Sequence, residues 1–205
     1  IGYEVIRDKK PQLTISELHK ALEAFHEKQL ITPTACGAGI WSSGESSKYI
    51  PSKEPEKEIQ QRLINSLFGW FRGLAIVEGE DTVLKGRIDV RILAQPTDVS
   101  DEGLKYWTII ELKVARSYFS SGKAYPKATL ISDIVKGVGQ ANEFTLDRQV
   151  KEGFLEIYDM RKDKSENLLV CSDVKSRMEQ CSNKINATVR PMYGSSEDAR
   201  VAGYI

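Results

Sequence analysis

The sequence is poor in the residues that usually mark a metal or nucleophile site. It has two histidines, His19 and His26, and three cysteines, Cys36, Cys171 and Cys181, at none of the short spacings of a zinc centre. That argues against a Cys/His metal site. A histidine-based triad would have to draw on one of two residues in what reads as an ordinary helix. An odd cysteine count without a secretion signal suits a reducing compartment, and the cytoplasm is the expected location. No apolar run approaches the roughly 20 residues of a spanning helix, so no membrane partner is expected. Charge of one sign is also missing: 29 basic residues meet 29 acidic ones, for a formal net charge of zero. Coating a polyanion by bulk charge is therefore disfavoured, and any such binding has to be local.

What remains is ordinary globular material: 205 residues, 40% hydrophobic and 28% charged, enough for one domain with a real core and a small appendage. The chain opens at Ile1 and stops on an apolar Val201-Ala202-Gly203-Tyr204-Ile205, and reads as part of something longer. Thr14 to Leu30 is expected to be a helix, with Thr14 and Glu17 as a capping box and Leu18, Ala21, Leu22 and Phe25 on one face. His19 and His26 fall off that stripe and read as surface residues. Residues 32–55, rich in Gly, Ser, Thr and Pro, read as a linker or long ordered loop. The expected organisation is a helical extension with linker over 1–50 and a main domain over 51–205.

In that main domain Pro55 opens a helix running to about Trp70. Short alternating segments then read as strands over 74–78, 83–93 and 106–114, the last two joined by a polar turn over 95–105. A helix is expected over 129–144, a strand over 153–160, another strand over 167–171 and a closing helix over 172–186.

The charges on these strands carry the chemistry. Strand side chains alternate between faces, so Ile88, Val90 and Ile92 take one side and Asp89 the other, beside Arg87 and Arg91. Likewise Ile110, Leu112 and Val114 oppose Glu111 and Lys113. If the two strands are neighbours, Asp89, Glu111 and Lys113 converge on one side of one sheet. Trp107-Thr108-Ile109-Ile110 reads as a strand buried on both faces, where a carboxylate and an amine are costly unless neutralised. A divalent cation with oxygen ligands, Mg²⁺ or Mn²⁺, would neutralise the carboxylates and act as a Lewis acid on a phosphoryl oxygen. Lys113 could orient an attacking water. On the preceding helix, phase puts Glu56 on the face shared with Ile59, Gln60 and Leu63, while Glu58 points away toward Arg62 at i, i+4.

Gly86-Arg87-Ile88-Asp89-Val90, followed some twenty residues later by Ile110-Glu111-Leu112-Lys113, resembles the PD-(D/E)XK nuclease superfamily. Pro55-Glu56-Lys57-Glu58-Ile59-Gln60 is similar to the opening-helix glutamate motif of several of its branches. Gly137-Val138-Gly139-Gln140 is similar to a glutamine that many members place beside the site. The chain departs from the pattern in having Ile88 where a proline would precede Asp89. The resemblance covers about residues 54–160. It implies an α/β, restriction-endonuclease-like core, a mixed central sheet flanked by helices in the order αβββαβ, with an N-terminal helical extension and a C-terminal helix. It further implies Asp89 and Glu111 as metal ligands, Glu56 as a ligand to the metal or to a bridging water, Lys113 as the water-activating group and Gln140 as support for substrate or metal shell. The implied reaction is phosphodiester hydrolysis.

From Lys113 to Lys136 five cations face one anion, Asp133, with Tyr118, Phe119 and Tyr125 interleaved. Arg116, Lys123, Lys127 and Lys136 are the expected nucleic-acid contacts, Arg116 foremost, and Ser120-Ser121-Gly122 reads as a mobile tip. Plainer readings stay open: Asp89 and Lys113 as a cross-strand ion pair, Glu111 as an ordinary edge-strand acid, Glu56 as a helix-start acid, Gln140 as a solvated residue and the basic segment as a solvated loop. The favoured expectation is a metal-dependent endonuclease module, acting on DNA rather than RNA, with a homodimer or a linked targeting domain supplying context. The rival expectations are a ribonuclease of toxin or defence type, and a non-catalytic nucleic-acid-binding or assembly domain of the same fold. The favoured one requires Asp89 and Glu111 to meet on one side of the sheet.

Overall fold

The computed structural model describes residues 12–42, 49–83, 86–94 and 105–204. The polar turn expected over 95–105 lies outside them except for its last residue. Helices α1 (Ile15–Gln29), α2 (Pro33–Cys36) and α3 (Pro55–Trp70) precede strands β1 (Ala75–Val83), β2 (Gly86–Ala94) and β3 (Lys105–Arg116). Helix α4 (Lys127–Asp147), strand β4 (Glu152–Met160), a 3₁₀ turn (Leu168–Val170), helix α5 (Ser172–Glu179), strand β5 (Lys184–Pro191) and helix α6 (Ser196–Val201) complete the chain. The sheet order is β1-β2-β3-β4-β5: the first three strands are antiparallel neighbours, and β3, β4 and β5 run parallel. The fold is thus α/β, a five-stranded mixed open sheet with helices on both faces. Among the described residues no helix is long and apolar enough to cross a membrane.

One face carries α1 and α3. Leu18, Leu22 and Phe25 of α1 and Ile59, Leu63 and Leu67 of α3 share a cluster with Val90, Ile92, Ile110, Leu112, Phe154 and Tyr158 of the sheet. Burying one such side chain contributes roughly 1.5–3 kcal/mol, so α1 is an integral layer of this body rather than an extension from it. Its start follows the expected cap, with the Thr14 hydroxyl accepting from the Glu17 N–H at 3.2 Å. The other face carries α4 and α5, with Leu130, Ile134, Val138 and Val174 against Ala115, Leu155 and Ile157.

Several expectations change. His26 is not a surface residue: it is 4% exposed, and its Nε2 lies 2.7 Å from the Pro191 carbonyl oxygen. Lying at the edge of the apolar stripe, it is covered once β5 is in place. Of the two readings of residues 32–55, the packed one fits where they are described, with the short α2 inside the segment and Cys36 and Ile40 buried; residues 43–48 lie outside the described set. Asn167–Cys171 gives a 3₁₀ turn rather than a strand. The closing helix ends at Glu179, and β5 follows, built on the β-branched Ile185, Thr188 and Val189. Strict alternation also fails on β2: Val90 and Ile92 join the α1/α3 core, while Ile88 packs with Ile109, Ala141 and Phe144 under α4.

Candidate active site

The break in alternation marks where the sheet opens. The described β2–β3 ladder ends at Val90↔Ile110, whereas β3 stays paired to β4 through Arg116. Beyond Ile110, then, β3 has a strand partner on one side only. Two side-chain hydrogen bonds fasten Asp89 there. The Leu112 N–H donates to Asp89 Oδ2 at 2.8 Å, and Gln60 Nε2 donates to the Asp89 carbonyl oxygen at 2.6 Å. Asp89 is thereby fixed from both its backbone and its carboxylate. Gly79 permits this approach, since an added Cβ would lie 2.6 Å from Ile64 Cδ1 and 3.4 Å from Gln60 Nε2. Gln60, buried and on α3, escaped the sequence reading, which gave only its face.

A cleft of about 710 Å³ lies at this opening. Glu56, Asp89, Glu111, Lys113 and Gln140 all line it, so α3, β2, β3 and α4 each contribute one of the expected residues or more. Lys113 Nζ donates to Glu111 Oε1 at 2.5 Å and to the Leu112 carbonyl oxygen at 3.0 Å. The amine therefore pairs with Glu111, not with Asp89 across the strands. Gly137 makes room for it: a Cβ there would stand 2.8 Å from Lys113 Cγ. The strand leading in is buried as expected, with Thr108, Ile109 and Ile110 at 0% exposure and Glu111 at 1%.

The electrostatics are strained. Glu111 Oε2 is buried without a hydrogen-bond partner. Burial, and then the neighbouring Asp89 carboxylate, push the Glu111 carboxyl up to about 8. Burial likewise raises Asp89 and Glu56 above the usual carboxylate range. Burial works against the charged form of Lys113, yet Glu111, Glu56 and Asp89 hold it above an ordinary lysine. Among the described residues no three acidic, histidine or cysteine side chains are gathered closely enough to enclose an ion by themselves. Magnesium asks for less, typically one or two carboxylates with water and phosphate oxygens completing the shell. Asp89 and Glu111 fit that requirement: hard oxygen donors, mutually repelling, one with an orphaned buried oxygen.

Cations rim the acidic floor. Arg116 and Lys136 are there as expected, joined by Lys53, Lys57 and Arg87, which the sequence reading did not single out. Lys127 lines a neighbouring cavity and pairs with Glu166 at 2.7 Å; Lys123 sits exposed on the loop after β3, outside the cleft. That loop is an ordered hairpin in this structure, with the Tyr125 N–H donating to the Ser117 carbonyl oxygen at 2.8 Å and the Phe119 N–H to that of Lys123 at 2.8 Å. The Glu58–Arg62 pair does not form; Arg62 instead donates to the Cys36 and Ala38 carbonyl oxygens. Compared with known proteins, the chain matches no family model and no solved structure.

Proposed function

We propose that this chain is a metal-dependent nuclease with a restriction-endonuclease-like fold, hydrolysing phosphodiester bonds of DNA. The fold reading is supported by the order α3-β1-β2-β3-α4-β4, three antiparallel strands passing into a parallel pair; β5 is an addition to that core. The function rests on one observation: at the point where β2 and β3 part, Glu56, Asp89, Glu111 and Lys113 line one cleft, and a buried Glu111 oxygen there has no partner. Buried charged oxygens are normally met by a donor, so an unmet one beside a second carboxylate at a cleft wall supports a cation supplied from outside.

Asp89 and Glu111 would hold Mg²⁺ or Mn²⁺, with Glu56 toward the same ion or a water beside it. The ion, when bound, supplies Lewis acidity toward a phosphoryl oxygen. Lys113 has three N–H donors and uses two on Glu111 and Leu112, which leaves one to orient a water for in-line attack. Glu56, raised by burial, suits the acceptance of a proton from that water. Gln140 borders the same space and can donate to a phosphate oxygen. Arg116, Lys136, Lys53, Lys57 and Arg87 offer the flanking phosphates local positive charge in a chain whose net charge is zero.

The test is nicking of supercoiled plasmid by the wild-type chain with Mg²⁺, with chelator in its place, and by Lys113→Ala with Mg²⁺. Cleavage in the first reaction alone is expected. Equal nicking in all three overturns the metal-and-lysine mechanism, and preferential digestion of transfer RNA in a parallel reaction moves the substrate to RNA.

A further inference from the structure

A second cavity, of about 310 Å³, adjoins the acidic cleft, and Arg116 and Tyr125 line both. Its apolar side is Leu130, Ile131 and Leu168. Arg161 also lines it, its guanidinium held on Asp159 at 2.9 and 2.8 Å and on the Glu166 carbonyl oxygen at 2.9 Å. The shared wall is equally fixed. The Arg116 guanidinium lies 4.6 Å from the Tyr125 ring centroid and 5.7 Å from that of Phe119, and the Tyr125 hydroxyl donates to Asp133 at 2.5 Å. Arg116 has no carboxylate partner among the described residues.

The shape and chemistry select the occupant. A small cavity with an apolar side and a polar rim suits a flat heterocycle, whose faces can lie on Leu130, Ile131 and Leu168 while its edge meets the polar rim. Arg116 lies three residues beyond Lys113 on the same strand, about 10 Å at about 3.3 Å per residue, within reach of a nucleotide close to the bond being cut. Guanidinium and tyrosine planes are the usual stacking partners of nucleobases. A base inside a duplex presents only its edges, so only an unpaired base could enter. The Lys127–Glu166 pair between α4 and the segment after β4 is exposed and weak, and would yield to a ligand. Resting on the nuclease reading, we propose that this cavity receives an unpaired nucleobase of the strand being cut, so that the substrate is single-stranded or locally melted DNA rather than continuous duplex. Negatively supercoiled plasmid, which melts locally, remains a substrate on this reading.

The experiment reads binding, independently of hydrolysis. Single-stranded DNA oligonucleotides carrying the fluorescent base 2-aminopurine at successive positions are titrated with the full chain in Ca²⁺, alongside blunt duplexes of the same sequence. The expected result is a fluorescence change confined to one or two adjacent positions of the single strand, and duplex affinity lower by about tenfold. Ile131→Trp, at a half-exposed lining position, or Ser165→Trp, at an exposed one, fills the cavity. Either one, with its thermal midpoint unchanged, should erase the signal and bring the two affinities within about twofold. Equal signals from strand and duplex, or unaltered binding by both filled variants, overturns the subsite. Mg²⁺-dependent cleavage alongside such a result would leave the nuclease reading standing. A position-specific signal without cleavage would do the reverse.

Discussion

Two buried charge clusters sit on opposite faces of one sheet and differ in how they are finished. Under α1, Glu156 of β4 is 0% exposed and Arg190 of β5 is 7% exposed; the guanidinium Nε donates to Glu156 Oε2, and Nη2 donates to Oε1 at 3.4 Å. Under α4, Glu111 is buried almost as deeply, but Lys113 reaches only one of its oxygens. Burial raises both carboxyls. What differs is the next influence: Arg190 pulls Glu156 down, whereas Asp89 pushes Glu111 further up. A buried carboxylate whose oxygens are both met by one cation is complete within the protein. One that is crowded by other carboxylates at the wall of a cleft, with one oxygen not met by a cation, is a candidate for completion by something added.

The comparison is broken most directly by exchanging the roles of the two sites. Glu111→Gln and Lys113→Ala should each lower Mg²⁺-dependent cleavage by about 10²–10⁴-fold, while Glu156→Gln leaves the turnover of its folded fraction unchanged. A loss of turnover in Glu156→Gln as large as that in Glu111→Gln would show that neither cluster is separable from the other. Stability should run the opposite way. Arg190→Ala strands a buried carboxylate and should cost about 3–5 kcal/mol in urea unfolding, whereas the paired Glu156→Met/Arg190→Met replacement is close to neutral. Glu111→Gln, in metal-free buffer, is expected to be neutral or stabilising, because burial and Asp89 already favour the uncharged carboxyl that the amide replaces.

Acid sharpens the contrast by a smaller amount. His26, beside the Glu156–Arg190 pair, is held down to about 4 by burial, against an ordinary 6.5. Its folded form stays neutral where the unfolded chain takes up a proton. Stability present above about pH 6.5 is therefore lost as pH falls toward 4, by up to about 3 kcal/mol from this residue. Urea midpoints across that interval, compared between wild type and His26→Phe, isolate the slope, which should flatten in the variant.

The sequence disclosed the acidic site better than its surroundings. Asp89, Glu111 and Lys113 stood out because strand alternation is a local property, and Glu56 because helix phase is too. Gln60 did not, since its partner, the Asp89 carbonyl oxygen, meets it only when α3 packs onto the sheet, which is a tertiary event. Lys53, Lys57 and Arg87 become neighbours of the cleft only when the start of α3 meets β2. The fifth strand was hidden because Val174, Met178, Cys181 and Ile185 happen to fit a helical period, and the turn at 180–183 carries no proline or glycine to announce itself. The burial of His26 followed from the same omission, as β5 supplies the carbonyl that covers it.

The smallest effect tests whether an orphaned polar atom is enough to suspect function. The Tyr158 hydroxyl, next to the Glu156–Arg190 pair, is buried and unpartnered, as is Glu111 Oε2. The two differ in charge and in access. A hydroxyl carries no formal charge, is tolerated at modest cost and has no cavity in front of it among those lined by Asp89 and Glu111. Tyr158→Phe deletes only that oxygen and should stabilise the chain by about 1 kcal/mol, with no change in cleavage or metal affinity. A destabilised Tyr158→Phe would mean the hydroxyl has a partner such as a buried water. A Tyr158→Phe that stayed stable but lost cleavage would join the two faces of the sheet into one functional unit, and the division drawn between them would fail.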